Sequence, residues 1–335
     1  MTLPFRPRFL WWGGDLQTLR NKFAYRHRAL PGEAVDFQVP LPDGDTLTGT
    51  LHAPLEPTAQ PFVVLFHGLT GSENSIYMLE SARHHLSQGR GVLRINFRRA
   101  GSSEGLCKTP YCGESWPDVL AVLDALDPAL TSNGVFLIGY SMGGNILLNG
   151  LPHLHRNSRC IGAATVSAPI DPAGASKRLM EWRNRPYQNE LLKEMQESHL
   201  ALEIAEDPNM RRAIETTGSI WEFDDTVTAR RLGLGNAQEY YDATAGKDRI
   251  DAVRLPLLMI HSRDDPWIPV APYLTLKPPA NVTIEITRSG GHVGYHGKDS
   301  AQPWHDLRIS DFIDSIAGPS AASDLPSGIE NGEPV

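Results

Sequence analysis

A chain of 335 residues, 41% of them hydrophobic, can bury a full core as one large domain or two modest ones. Its net charge of −8 and pI near 5.8 argue against a nucleic-acid partner. No apolar run approaches the ~20 residues that span a bilayer, and three cysteines, Cys107, Cys112 and Cys160, form no even disulfide framework and suit a reducing, cytoplasmic setting.

Near the N-terminus, Phe9-Leu10-Trp11-Trp12 is too short for the apolar stretch of a secretory signal. It is flanked by Arg6, Arg8, Arg20, Lys22, Arg26 and Arg28. Two readings stand: packing against the core, or weak contact with a membrane surface. Further on, Pro42-Asp43-Gly44-Asp45 is a turn leading into a strand at 47–52. Residues 61–66 read as a buried strand that runs into the loop His67-Gly68-Leu69-Thr70-Gly71. A helix is expected over 75–88, a strand over 91–97, and a helix over 115–126 with Pro117 in its first turn. The strand at 135–138 enters Gly139-Tyr140-Ser141-Met142-Gly143, after which a helix begins, and 161–167 is another strand. Between Asp171 and Gly246 the chain is charged and helix-rich, with no buried strand. The sheet pattern returns with strands at 255–261 and 282–286 and closes with a helix over 304–316.

Strands alternating with helices predict an α/β fold, with a mostly parallel central sheet flanked by helices. The expected organisation is an N-terminal extension and first core part over 1–170, then a helical cap insertion over 171–247. The second core part covers 248–317, and a disordered tail rich in Pro, Gly and Ser covers 318–335.

The chemistry is carried by residues at the ends of strands. A serine between glycines on a tight strand-to-helix turn is the geometry of a nucleophile elbow. Its hydroxyl needs a base, and the base needs an acid to hold its tautomer. Ser262-Arg263-Asp264-Asp265-Pro266-Trp267 and Ser289-Gly290-Gly291-His292 supply these just past the carboxyl ends of successive strands, in the order Ser, Asp, His. Asp265 is preferred over Asp264 for its spacing from Ile268-Pro269, with Asp264 left as a loop cap. His292 is preferred over His296 because it follows the glycine pair directly. Backbone N–H groups of Leu69 and Met142 are the candidate oxyanion donors, and Gly68 and Trp267 are candidate substrate contacts. The loop reads H-G-L, not H-G-G-G, which disfavours esters of bulky tertiary alcohols. His67 is expected to brace its loop. The spacing of His292 and His296 lacks the glutamate of H-E-x-x-H, so no metal and no cofactor are expected.

With these residues laid out, the chain resembles the YheT-like branch of the α/β-hydrolases. The likeness rests on Gly14-Asp15-Leu16-Gln17-Thr18-Leu19, the 42–45 turn, His67-Gly68-Leu69, Gly139 through Asn145, Asp264-Asp265-Pro266 and Gly290-Gly291-His292. It covers nearly everything but the tail and implies an α/β-hydrolase fold and ester chemistry on a small-molecule ester substrate. Asp15 stands where a histidine is common, and Asn96-Phe97-Arg98-Arg99-Ala100-Gly101 departs from N-x-R-G, so loop shape is where differences are expected. Trp182, Tyr187, Trp221, Phe223, Tyr240 and Tyr241 of the cap are candidates to line an acyl pocket. The reading is a serine carboxylesterase. Acyl transfer ranks second, without an H-x-x-x-x-D signature in its favour, followed by peptide cleavage and a non-catalytic binding role.

Overall fold

The computed structural model describes residues 4–24, 29–54, 58–156 and 159–318, so Arg26, Arg28 and the tail expected beyond 318 lie outside the described residues. Eight strands form one sheet: β1 (Val35–Pro40), β2 (Thr46–His52), β3 (Phe62–Phe66), β4 (Val92–Asn96), β5 (Val135–Tyr140), β6 (Cys160–Val166), β7 (Leu257–Ser262) and β8 (Val282–Thr287). Their order is β1-β2-β4-β3-β5-β6-β7-β8. The pairs β1·β2 and β2·β4 are antiparallel, and every other pair is parallel.

The central strands are buried along nearly their whole length because both faces are covered. Alternation sends the side chains of β3 to two separate cores. Val64 and Phe66 pack with Val119 of α3 (Trp116–Ala125) and Ile146 of α4 (Met142–Gly150). Val63 and Leu65 pack with Met78 of α2 (Ile76–Ser87) and Ile309 of the C-terminal helix Trp304–Ala317. A polar residue at either set of positions would be buried without a partner.

The expected helices over 75–88, 115–126 and 304–316 are present within a residue or two of each end. Strand β1 was not expected. It is an edge strand with most residues exposed, so it lacks the buried apolar run that marks the others.

Between β6 and β7 the chain leaves the sheet and folds into helices, including α5 (Pro172–Met180) and α6 (Arg185–Leu200). They enclose a core of their own around Leu192, Ile214, Phe223 and Val227. One further helix, α1 (Gly14–Ala24), lies against the carboxyl end of the sheet. Gly14 packs so closely there that a Cβ would sit 1.8 Å from the Asp264 carbonyl oxygen. Among the described residues, no helix is long and apolar enough to cross a membrane.

Candidate active site

Strand β5 passes straight into α4 through Ser141, whose backbone is held at φ 50° and ψ −124°. That left-handed conformation costs a non-glycine residue roughly 1–3 kcal/mol, and persists only where the surroundings impose it. They do so here through close backbone approach. A Cβ on Gly139 would come within 2.6 Å of Gly144 Cα, and one on Gly143 within 2.3 Å of the His67 carbonyl oxygen. The Ser141 N–H is anchored to the Val166 carbonyl at 2.9 Å.

His292 follows β8 and reaches back to the elbow, its Nε2 lying 2.9 Å from Ser141 Oγ. Its Nδ1 is 2.9 Å from Asp265 Oδ2. The other Asp265 oxygen accepts the backbone N–H groups of Trp267 at 2.8 Å and Ile268 at 3.0 Å. Burial alone would push this carboxyl up, but the His292 imidazole and these hydrogen bonds hold it below the usual carboxylate range.

Asp264 faces elsewhere. Its Oδ1 accepts the Gly291 N–H at 3.0 Å and the Ser262 hydroxyl at 3.1 Å, bracing the turn that carries His292. His296 is also apart from Ser141. Its backbone N–H donates to Gln17 Oε1 at 2.7 Å, and its Nδ1 lies 2.9 Å from an Arg20 guanidinium nitrogen. Burial and that neighbouring charge push its pKa down to about 2, so the ring is neutral.

Loop 67–71 is pinned from several sides. The Phe97 N–H donates to His67 Nε2 at 3.0 Å, which leaves the ring proton on Nδ1 to donate to the Gly68 carbonyl at 2.7 Å. Burial lowers His67 to about 4, so this tautomer is neutral. The same carbonyl takes a second donor, the Tyr111 hydroxyl, at 3.1 Å and a third, the Gly71 N–H, at 3.1 Å. In a trans peptide the C=O and the following N–H point in opposite directions. Three donors on the Gly68 oxygen therefore fix the direction of the Leu69 N–H. Among the described residues, neither that N–H nor the one on Met142, in the first turn of α4, is given an internal acceptor. Gly68 itself has no room for a side chain, since a Cβ would lie 2.9 Å from Ser141 Cβ.

These groups share one cavity of about 920 Å³, bounded by Ser141, His292, Gly68, Leu69, Met142 and Trp267 on the sheet side. The Trp267 ring lies 4.4 Å from His292, centroid to centroid. Tyr187, Tyr240 and Tyr241 border the cavity from the cap. The other cap aromatics do not. Trp182 is 85% exposed to solvent, Phe223 is sealed in the cap core, and Trp221 packs on Tyr241 with Lys177 over its face. Among the described residues, no group of three or more His, Cys, Asp or Glu is placed to hold a metal.

Three residues of the site were not anticipated. Thr18 Oγ1 accepts the His292 backbone N–H at 2.8 Å. Tyr77 accepts the Gly68 N–H at 2.9 Å, and Tyr111 accepts the Thr70 N–H at 2.8 Å. Only Thr18 had a signal, as part of the N-terminal Gln17-Thr18-Leu19 motif. The two departures in loop sequence also have structural consequences. Asp15 binds Arg183 at 2.9 Å and the Tyr187 hydroxyl at 3.1 Å, joining α1 to the cap. Arg98 forms a two-pronged pair with Asp118 at 2.8 and 2.9 Å and reaches Asp45 at 2.9 Å, fixing the 42–45 turn.

Residues 63–307 match the alpha/beta hydrolase family. The chain is 31% identical over 288 residues to the Escherichia coli K12 protein named "Putative esterase YheT", covering 82% of each. It is 25% identical over 285 residues to a monoacylglycerol lipase of Saccharomyces cerevisiae, covering 82% of this chain and 63% of that protein. Among solved structures, the esterase Pf2001 of Pyrococcus furiosus superposes with a TM-score of 0.56 at 16% identity, a likeness of fold covering 88% of this chain and 100% of that one.

Proposed function

The chain belongs to the alpha/beta hydrolase family and is a carboxylic ester hydrolase, and we propose that it is a serine carboxylesterase for small to medium-chain acyl esters or acylglycerols. The observation that carries this reading is the continuous hydrogen-bonded line from Asp265 through His292 to Ser141, opening on the cavity.

In the proposed reaction Ser141 Oγ bonds to the ester carbonyl carbon while its proton passes to His292 Nε2. Asp265 keeps the Nδ1 proton in place and stabilises the imidazolium. The carbonyl oxygen becomes an oxyanion facing the Leu69 and Met142 N–H groups, each worth a few kcal/mol of barrier. Collapse breaks the bond to the alcohol oxygen, which leaves with the proton from His292. Water then gives a proton to His292 and attacks the acyl carbon. The bond to Ser141 breaks, the proton returns to its Oγ, and the carboxylic acid departs. Gly68 leaves space for the substrate beside the serine, and Trp267 walls the cavity against His292.

The test is the initial rate across p-nitrophenyl esters from acetate to palmitate, with Ser141→Ala as control. The proposal expects a maximum at one chain length and a loss of roughly 10⁴-fold or more in the mutant. A flat zero from folded protein, or activity that survives in Ser141→Ala, overturns it. Adding an alcohol and analysing products separates hydrolysis from acyl transfer.

A further inference from the structure

The segment Phe9-Leu10-Trp11-Trp12 divides in the structure. Trp11 is half-buried, with the Arg20 guanidinium 5.9 Å from its ring centre. Phe9 and Leu10 are each 71% exposed and Trp12 is 63% exposed. Phe9 and Trp12 stack edge to face at 5.8 Å, so the two rings support each other while remaining in solvent.

Their presentation depends on an unfavourable turn. The Trp11 N–H donates to the Arg8 carbonyl at 3.0 Å, closing a four-residue turn whose third residue is Leu10 at φ 79°. A turn of this shape favours glycine or asparagine at that position, and a leucine held there is strained. Nothing in the core is gained in return, because the leucine side chain points into solvent.

A second element joins this surface. The pair between Asp15 and Arg183 brings the exposed Trp182 of the cap beside α1, where Leu16 is also exposed. Large exposed apolar side chains are thus supplied by both of the elements that this ion pair joins. Thr18 and Leu19 of the same helix, and Tyr187 of the cap, border the active-site cavity. The two segments that supply these side chains are basic in sequence, although Arg183 pairs with Asp15 and Arg178 with Glu181. Residues 4–24 carry Arg6, Arg8, Arg20 and Lys22 against Asp15 alone, and residues 177–185 carry Lys177, Arg178, Arg183 and Arg185 against Glu181 alone, in a protein of net charge −8.

We propose that this face docks on an anionic lipid surface, placing the cavity mouth at the membrane so that ester lipids enter from the aggregate. Exposed aromatic and leucine side chains carried on segments rich in Arg and Lys match an acidic lipid–water interface in both hydrophobicity and charge. The proposal deepens the esterase reading and rests on it for the substrate, while the docking itself is measured without catalysis.

The experiment is flotation of the full chain with vesicles of phosphatidylglycerol and phosphatidylcholine at low salt. It is repeated with Leu10→Gly and with the double variant Trp12→Ser, Trp182→Ser. The expected result is co-flotation of the wild type, weakened by salt, and a fall of at least about fivefold in both variants. Hydrolysis of soluble p-nitrophenyl butyrate stays within about twofold of wild type, because no docking residue borders the triad. Leu10→Gly relieves the turn, so its melting temperature holds or rises. A purely structural role predicts no change in flotation. Failure of the wild type to float, or flotation unchanged in the variants, overturns the proposal. So does a wild-type dimer in sedimentation that these substitutions disperse, since the face then belongs to a second copy of the chain. Vesicle binding without butyrate hydrolysis would retain the docking and remove the esterase reading.

Discussion

The sheet side of the cavity and its cap side are specified to different degrees. On the sheet side each loop is held by several polar contacts and by backbone approaches that exclude a Cβ. Gly139, Gly143 and Gly68 are all confined in this way, and the Gly68 carbonyl alone takes three donors. The cap presents a helix face and is tied to the core at separated points. One is Asn184 on the Pro266 carbonyl at 2.8 Å, another Arg231 on the Pro110 carbonyl at 2.8 Å. The proposed reacting groups therefore sit where the backbone has little freedom, and the cap reaches them chiefly through Tyr187, which packs on Trp267 beside His292.

The largest effect that sharpens this contrast separates two adjacent carboxylates. Asp265→Asn reverses the partner that His292 Nδ1 needs and should lower kcat by about 10⁴. Asp264→Asn loosens only the Gly291 turn, and should cost on the order of tenfold. Steady-state kinetics of the two variants decide the assignment, and the opposite ranking would break it.

A smaller effect tests the pinned peptide. Tyr111→Phe removes one of the three donors on the Gly68 carbonyl and the acceptor for the Thr70 N–H. The Leu69 N–H is then less well aimed, and kcat should fall about tenfold with KM nearly unchanged. An equal rise in KM with constant kcat would instead make Tyr111 a substrate contact.

The smallest difference lies in acid stability. Burial holds His67 and His261 at about 4, His305 at about 3 and His296 at about 2 in the core, and His199 at about 4 in the cap. Each stays neutral when folded but takes a proton near about 6.5 when unfolded. The unfolded chain thus binds more protons below about 6.5, and stability falls as pH drops from there toward about 4. Buried carboxyls raised to about 6, Asp306 in the core and Asp224 in the cap, act with the opposite sign between about 6 and 4. In the cap one histidine meets one carboxyl; in the core these four histidines, joined by His52, His84 and His85, which burial also lowers, outweigh Asp306 and Asp118, which burial raises. Hydrogen exchange at pH 5 against pH 7 should show greater loss of protection in β3 and β7 than in the cap helices. Equal or greater loss in the cap would contradict this balance.

Most of the sheet was legible because its inner strands are rich in apolar residues and β8 alternates in polarity, and their ends could be aligned by short glycine-bearing motifs. The exception, β1, is exposed along most of its length and carries polar alternation with no buried run. The residues brought near Ser141 were legible from the order of strand ends. What the sequence left open between Asp264 and Asp265 depends on which way two neighbouring side chains leave one loop, a matter of contacts to Gly291 and Ile268. Tyr77 and Tyr111 were not legible, since each meets loop 67–71 only through tertiary packing. Cap aromatics were equally ambiguous: Tyr187 and Trp182 lie five residues apart, and one borders the cavity while the other faces solvent.

The central claim is that Ser141 is the residue that forms the covalent intermediate. Mass spectrometry after reaction with a fluorophosphonate tests it most directly, because the adduct survives digestion and can be placed on a peptide. The account predicts one adduct per chain on the peptide containing Ser141. It should be absent in Ser141→Ala and slow to form in His292→Ala, where the base that activates the hydroxyl is lost. An adduct on another residue, or equal labelling in Ser141→Ala, would contradict it.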